Sequence, residues 1–281
     1  MKNICTITYF IFYISYFAIA QPNIDKKRDY NFFTGYGSYA HNNNLIFGTT
    51  LTNFQYCTIQ QNFKNNPIEF KGTSIVVSDT SGKVFFTFNG YKITDTSYQI
   101  MQNGDSLCVP NYVSDNGSYI SQGAITIPKP SSNHIYYIFH HAPSDNGSTG
   151  VLRYINITTI DMNLNNGKGA VTNREQKIIR GDTAAGCFFK VCRHANGRDW
   201  WLLRPNIRFN KYYRLLISPN GIDSLSPQIM PALPTQFLGS NSAEFSSDGS
   251  QFAHKVPYHG IYLYDFDRCN GTLSNRRYIP R

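Results

Sequence analysis

Between Lys190 and Arg214 the chain gathers seven cations, Lys190, Arg193, Arg198, Arg204, Arg208, Lys211 and Arg214, against the single acid Asp199. Trp200, Trp201, Phe209, Tyr212 and Tyr213 are interleaved with them. Cations beside aromatic faces suit acidic sugars or acidic peptides, because the guanidinium pairs with a carboxylate while the ring stacks. The same residues have a structural use: one tryptophan fills the packing between neighbouring sheets and the arginines stay solvated at an edge. Arg193, Arg198, Trp200 and Trp201 are the ligand-binding candidates of this stretch. His140 and His141, where a β-rich run gives way to "APSDNGS", are the second pair. Adjacent residues on a strand face opposite ways, so one of them could face a pocket. Two neighbouring histidines without a carboxylate partner make neither a metal site nor a general base. His194, His254, Asp79 and Asp199 stand in other segments, and only a fold could bring them together.

Other motifs read as turns. Ser246-Ser247-Asp248-Gly249-Ser250 has the residues of a hairpin turn. A sialidase-type Asp box is its rival, but Gly249 follows Asp248 directly and no Trp stands in register. Asp265, Asp267 and Asn270 faintly resemble a calcium loop, which also needs a later bidentate carboxylate, and none follows. Neither a Gly-rich phosphate loop nor a dinucleotide fingerprint is present. No catalytic residue, metal or cofactor is assigned.

The elements that would position these residues start after residue 20. "MKNICTITYFIFYISYFAIA" has a positive start, an apolar run and a small-x-small end, the three parts of an export signal. The apolar run is shorter than the roughly 20 residues that span a bilayer. No second run of that kind follows, so no transmembrane segment is expected once the signal is removed. Residues 21–43 read as a lead-in loop. Net charge is +9, yet only 15% of residues are charged. The cations are mostly scattered, which argues against a nucleic-acid partner. Cys57, Cys108, Cys187, Cys192 and Cys269 follow the signal, an odd set for an exported protein, so at least one lacks a partner within the chain. Zinc is disfavoured, since Cys187 and Cys192 stand too far from His254 and His259 for a finger.

A repeat organises the rest. "SIVVSDTSGKVFFTFNG", "AITIPKPSSNHIYYIFHHA", "FKVCRHANGRDWWLLRP" and "AEFSSDGSQFAHKV" share one plan, a β-rich run, a short turn and a second β-rich run. Their turns centre on Gly82, Asn133, Gly197 and Gly249. Each hairpin is followed by a third β-rich run and another Gly- or Asn-containing turn. Units of at least three antiparallel strands recurring roughly every 50 to 65 residues are the pattern of propeller blades. A β-sandwich would show many short strands without that recurrence.

On "SDTSGKVFFTFNGYKI", "AITIPKPSSNHIYYIF", "CRHANGRDWWLL" and "FSSDGSQFA…GIYLYDFDRCNGTLSN", the chain resembles secreted WD-repeat-like or Tol-type β-propeller proteins of the Bacteroidetes. The resemblance covers about Thr73 to Asn275 and carries no catalytic signature. Many such proteins end in a sorting domain for type IX secretion, which this sequence does not show, and they usually continue past the "DFDR" blade. The expectation is therefore an all-β fold, a propeller of antiparallel blades over 44–281, incomplete, with four to five blades visible. A complete small ring, closed by a strand from "NNLIFGTTLTNFQYCTI", is the alternative. The expected function is non-enzymatic: a secreted or cell-surface scaffold holding a protein or glycan on its loops. A polysaccharide hydrolase or lyase is the runner-up and would require paired carboxylates at the ring mouth.

Overall fold

A computed structural model describes residues 31–34, 50–53, 58–60, 67–70, 72–79, 82–107, 113–114, 117–118, 120, 122–143, 152–179, 188–206, 208–234 and 242–281. The stretch read as an export signal, Cys57, Cys108 and Cys187 lie outside these residues. Strands β1 (Asn31–Thr34), β2 (Thr50–Asn53) and β3 (Thr58–Gln60) form the first antiparallel sheet. The segment read as a lead-in loop thus contains β1, and the stretch proposed as a closing strand contains β2.

The second sheet is β4 (Ile75–Ser78), β5 (Val84–Phe88) and β6 (Ile93–Thr94), and a short pair β7 (Val113–Ser114) and β8 (Gly117–Ser118) follows it. The third sheet comprises β9 (Ala124–Pro128), β10 (Ile135–Pro143), β11 (Leu152–Asp161) and β12 (Ala170–Ile179). The fourth comprises β13 (Lys190–Arg193), β14 (Trp200–Pro205), β15 (Lys211–Ser218) and β16 (Gly221–Ile229). The fifth comprises β17 (Ser242–Phe245), β18 (Gln251–Val256), β19 (Gly260–Asp267) and β20 (Thr272–Pro280).

Within each of these sheets of three or four strands, consecutive strands pair antiparallel in chain order. First strands of successive sheets approach one another, β1 to β4, β4 to β9 and β13 to β17. These sheets are β-propeller blades, numbered I to V below. One 3₁₀ turn, Asn165–Gly167, is the helical structure among the described residues, and no helix there is long and apolar enough to cross a membrane.

The repeated hairpins have a local cause. In blades II, IV and V the turn closes with a hydrogen bond from a glycine N–H to a carbonyl three residues earlier: Gly82 to Asp79, Gly197 to His194, and Gly249 to Ser246. All three glycines have positive φ, which a Cβ would strain. Blade III departs from the expected centre at Asn133. There the closing bond runs from Ser132 to Lys129, and Ser131 takes the positive φ.

The core lies between blades. Ile75, Val77 and Phe86 of blade II meet Tyr136, Ile138 and Ile160 of blade III. Ile125, Ile127 and Phe139 of blade III meet Trp200, Leu202 and Leu215 of blade IV. On the other side of blade IV, Trp201, Leu203 and Tyr212 meet Phe252, Tyr264 and Phe266 of blade V. All six residues of β14 are buried, because a middle strand of a blade covered on both sides has no solvent face.

Candidate functional site

The blade IV hairpin carries four of the sequence candidates. Trp200 and Trp201 are each 2% exposed, and the two-residue period of β14 sends them to opposite sides, Trp200 toward blade III and Trp201 toward blade V. The expectation that one indole fills the space between blades is met twice over. The Arg193 guanidinium lies 4.1 Å from the Trp200 ring centroid and donates from Nη1 to the Gly197 carbonyl at 2.9 Å. Arg198, at the exposed turn, donates from Nε and Nη2 to the two Asp199 carboxylate oxygens at 2.7 and 3.0 Å. Those bonds hold the Asp199 carboxyl below its ordinary range, and Asn196 adds a further donor.

The other cations of this stretch do not form one face. Arg204 is fully buried with its guanidinium 4.4 Å from the Phe189 ring, and Lys190 is buried on the other side of the blade. Arg214 donates to the carbonyls of Ser226 and Asn270, while Arg208 is exposed.

The tip of this hairpin is fastened to blade V by a residue the sequence reading passed over. Arg268 donates to the backbone carbonyls of Arg193 at 2.9 Å, Asp248 at 3.0 Å and His194 at 3.4 Å. Its own carbonyl accepts from Ala195 N at 3.0 Å and from Trp201 Nε1 at 2.8 Å. Gly271 lies against the same indole: a Cβ there would come within 2.7 Å of Trp201 Cδ2. "HANGRDWW" and "DFDRCNG" are thus two halves of one latch between blades. No local pattern announces it, since Arg268 is an ordinary turn residue until the hairpin it reaches is in place.

The histidines separate as strand geometry requires. His140 faces blade II, its ring centroid 5.6 Å from that of Phe88, with Nε2 2.9 Å from Thr158 Oγ1. Burial holds its pKa down at about 4, and the contact with the His141 carbonyl opposes the shift. His141 faces blade IV, 4.9 Å from the Phe189 ring centroid. His254 lies between blades IV and V against Phe188 and Phe209, with Nδ1 2.8 Å from the Tyr212 hydroxyl, and burial lowers its pKa to about 3. His194 sits in the latch instead, 3.1 Å from the Cys269 carbonyl. These histidines occupy separate places.

Among the described residues, most aspartates serve backbone turns. Asp79, Asp95, Asp161, Asp248 and Asp267 each accept a nearby backbone N–H, from Lys83, Ser97, Asn163, Ser250 and Cys269 respectively. Asp248 also accepts from the hydroxyls of Ser246 and Ser250, and these bonds take its pKa down to about 2. The motifs compared with an Asp box and a calcium loop are both turns. Among the described residues, no group of three or more His, Cys, Asp or Glu is placed to hold a metal ion.

One carboxylate is used differently. Glu244 on β17 reaches Lys190 on β13 at 2.8 Å, across the first strands of blades V and IV. The Lys190 side chain is 2% exposed and that of Glu244 is 39% exposed. Burial raises the Glu244 pKa while Lys190 pulls it down. Sequence reading missed this pair because its members are 54 residues apart and neither stands in a motif.

The outer rim of blade V gathers exposed side chains. Tyr262 and Tyr278 stack with centroids 5.0 Å apart, and the Arg276 guanidinium lies 5.8 Å from the Tyr262 centroid. Arg276 also donates to the Pro231 carbonyl at 2.9 Å, and Tyr278 donates its hydroxyl to the His259 carbonyl. Tyr278 is 51% exposed, and Tyr258 in the adjoining turn is 70% exposed.

No protein-family description and no curated protein sequence matches the chain. Among solved structures, it is similar to a functionally unknown protein of Desulfotomaculum acetoxidans, at 16% identity and a TM-score of 0.40. That match covers 83% of this chain and 63% of the other, so the chain spans less than two thirds of that protein's length. A candidate 6-phosphogluconolactonase of Bacteroides fragilis aligns at 14% identity and a TM-score of 0.38, over 89% of this chain and 83% of the other. The periplasmic gluconolactonase of Pseudomonas aeruginosa aligns at 11% identity and a TM-score of 0.33, over 89% of this chain and 83% of the other.

Proposed function

We propose that this propeller is a binding scaffold, carried out of the cell by residues 1–20, that holds a protein or glycan partner at the cell surface or in the medium and performs no chemistry on it. The WD-repeat-like or Tol-type resemblance fits that setting. The observation that carries the reading is the division of labour among polar side chains. The aspartates named above are tied into turns and His140, His141 and His254 are buried between blades, whereas the blade V rim presents Tyr278, Arg276 and Ile279 to solvent. Arg198 at the blade IV turn offers a second exposed contact point.

A polysaccharide hydrolase or lyase is the second reading, supported by Glu244, the half-exposed carboxylate whose pKa burial raises. Electrophoresis of the purified chain through gels holding different polysaccharides, with an assay for new reducing ends, separates the two. Retardation without new reducing ends is expected. Chain cleavage that disappears in Glu244→Gln would overturn the scaffold reading in favour of catalysis.

A further inference from the structure

The outer strands of the three four-stranded blades differ in charge. β12 reads "AVTNREQKII", in which Glu175 stands between Arg174 and Lys177, and Arg174 is already donating to the Asp105 and Ser106 carbonyls of blade II. β16 reads "GIDSLSPQI" and carries one acid and no cation. β20 reads "TLSNRRYIP", carries Arg276 and Arg277 without an acid, and is followed by Arg281.

Geometry then sorts the side chains of β20. The register against β19 shifts between Leu263 and Asp265, and Asn275 takes a positive φ of 49°. A bulge of this kind re-aims the residues after it. Beyond it Arg276 and Tyr278 share one face with Tyr262, while Arg277 turns the other way and pairs with Asp265. The shared face is a row of guanidinium, ring and ring, in which Arg276 and Tyr278 of β20 are exposed and Tyr262 of β19 is partly buried beneath them.

We propose that this row binds an acidic glycan, a polymer of uronic-acid or sulfated sugars lying along the β19–β20 edge. Tyr278 offers a half-exposed ring to the apolar face of a pyranose. Arg276 supplies a fixed planar cation for the carboxylate or sulfate of a neighbouring sugar. The proposal rests on the binding-scaffold reading and narrows it to one ligand class at one place. An acidic peptide is the competitor, since it would use the arginines but has no sugar face for the tyrosine.

Binding of the purified chain to polygalacturonate and to polyglutamate of matched length tests it, with neutral dextran as the uncharged control. The wild-type chain is expected to prefer polygalacturonate. Tyr278→Ala is expected to weaken polygalacturonate about fivefold or more and to leave polyglutamate nearly unchanged. Arg276→Ala is expected to weaken both about tenfold. Both residues are exposed at a sheet edge, and unchanged near-ultraviolet circular dichroism would show that the variants remain folded. Equal wild-type affinity for the two polyanions, or tighter binding of polyglutamate, would overturn the glycan in favour of an acidic peptide. Polygalacturonate binding that neither substitution alters would overturn the location while leaving the scaffold reading intact. Wild-type binding to neither polyanion would overturn the inference and leave the scaffold reading to neutral glycans and to proteins without an acidic patch.

Discussion

Arg268 and Arg276 belong to the same blade and end in opposite situations. Arg268 lies in the turn between β19 and β20, where three backbone carbonyls from two other turns converge on its guanidinium. Arg276 lies on the outer strand and donates to the Pro231 carbonyl beside an exposed aromatic pair. The first joins two blades and the second faces solvent. What separates them is how many backbone carbonyls the rest of the chain brings within reach.

The contrast breaks most visibly at the partner of the latch. Trp201→Ala removes a buried indole and the Nε1 bond to the Arg268 carbonyl, and should lower stability by about 3 to 5 kcal/mol in denaturant unfolding. Gly271→Ala should act on the same contact from the other side, since its Cβ would strike the ring at a backbone φ of 67°. A loss below about 1 kcal/mol for Trp201→Ala would mean that the latch does not hold blades IV and V together.

Acid probes the blade interfaces without mutation. Neutral histidines are held below their ordinary pKa at His140, to about 4, and at His254, to about 3, in both cases chiefly by burial. An unfolded histidine takes up its proton near pH 6.5, so below that pH the unfolded state binds protons that the native state refuses. Their contribution is therefore complete above about pH 6.5 and declines as the pH falls toward about 4 for His140 and about 3 for His254. At pH 5 each histidine should have removed about 2 kcal/mol. Thermal melts at pH 7 and pH 5 should show the loss, and His254→Leu should flatten part of it. A melting temperature independent of pH over that range would contradict the burial of both rings.

The two arginines themselves give the smaller differences. Arg268→Met should cost about 2 kcal/mol, because it leaves carbonyls without their charged donor. Arg276→Ala should stay within about 0.5 kcal/mol, as surface substitutions do. Equal effects on unfolding would remove the distinction drawn between latch and rim.

The hairpins and their recurrence were legible in the sequence because they rest on local chemistry. Gly82, Gly197 and Gly249 supply the backbone angles of the turn, and β-rich runs on either side pair with their immediate neighbours. That sufficed to expect antiparallel blades and to read Asp248 and Asp267 as turn formers. The opposite orientations of His140 and His141 also followed from the strand alone. Where each side chain ends up depended on the stacking of blades. Both tryptophans became packing because blade IV is covered on its two faces, Arg268 became a latch through bonds to residues 75 and 74 positions away, and Lys190 found Glu244 across 54. Strand and turn preferences act between residues close in the chain, whereas burial, ion pairing and exposure are set by which blade lies against which, and those partners meet only in the folded protein.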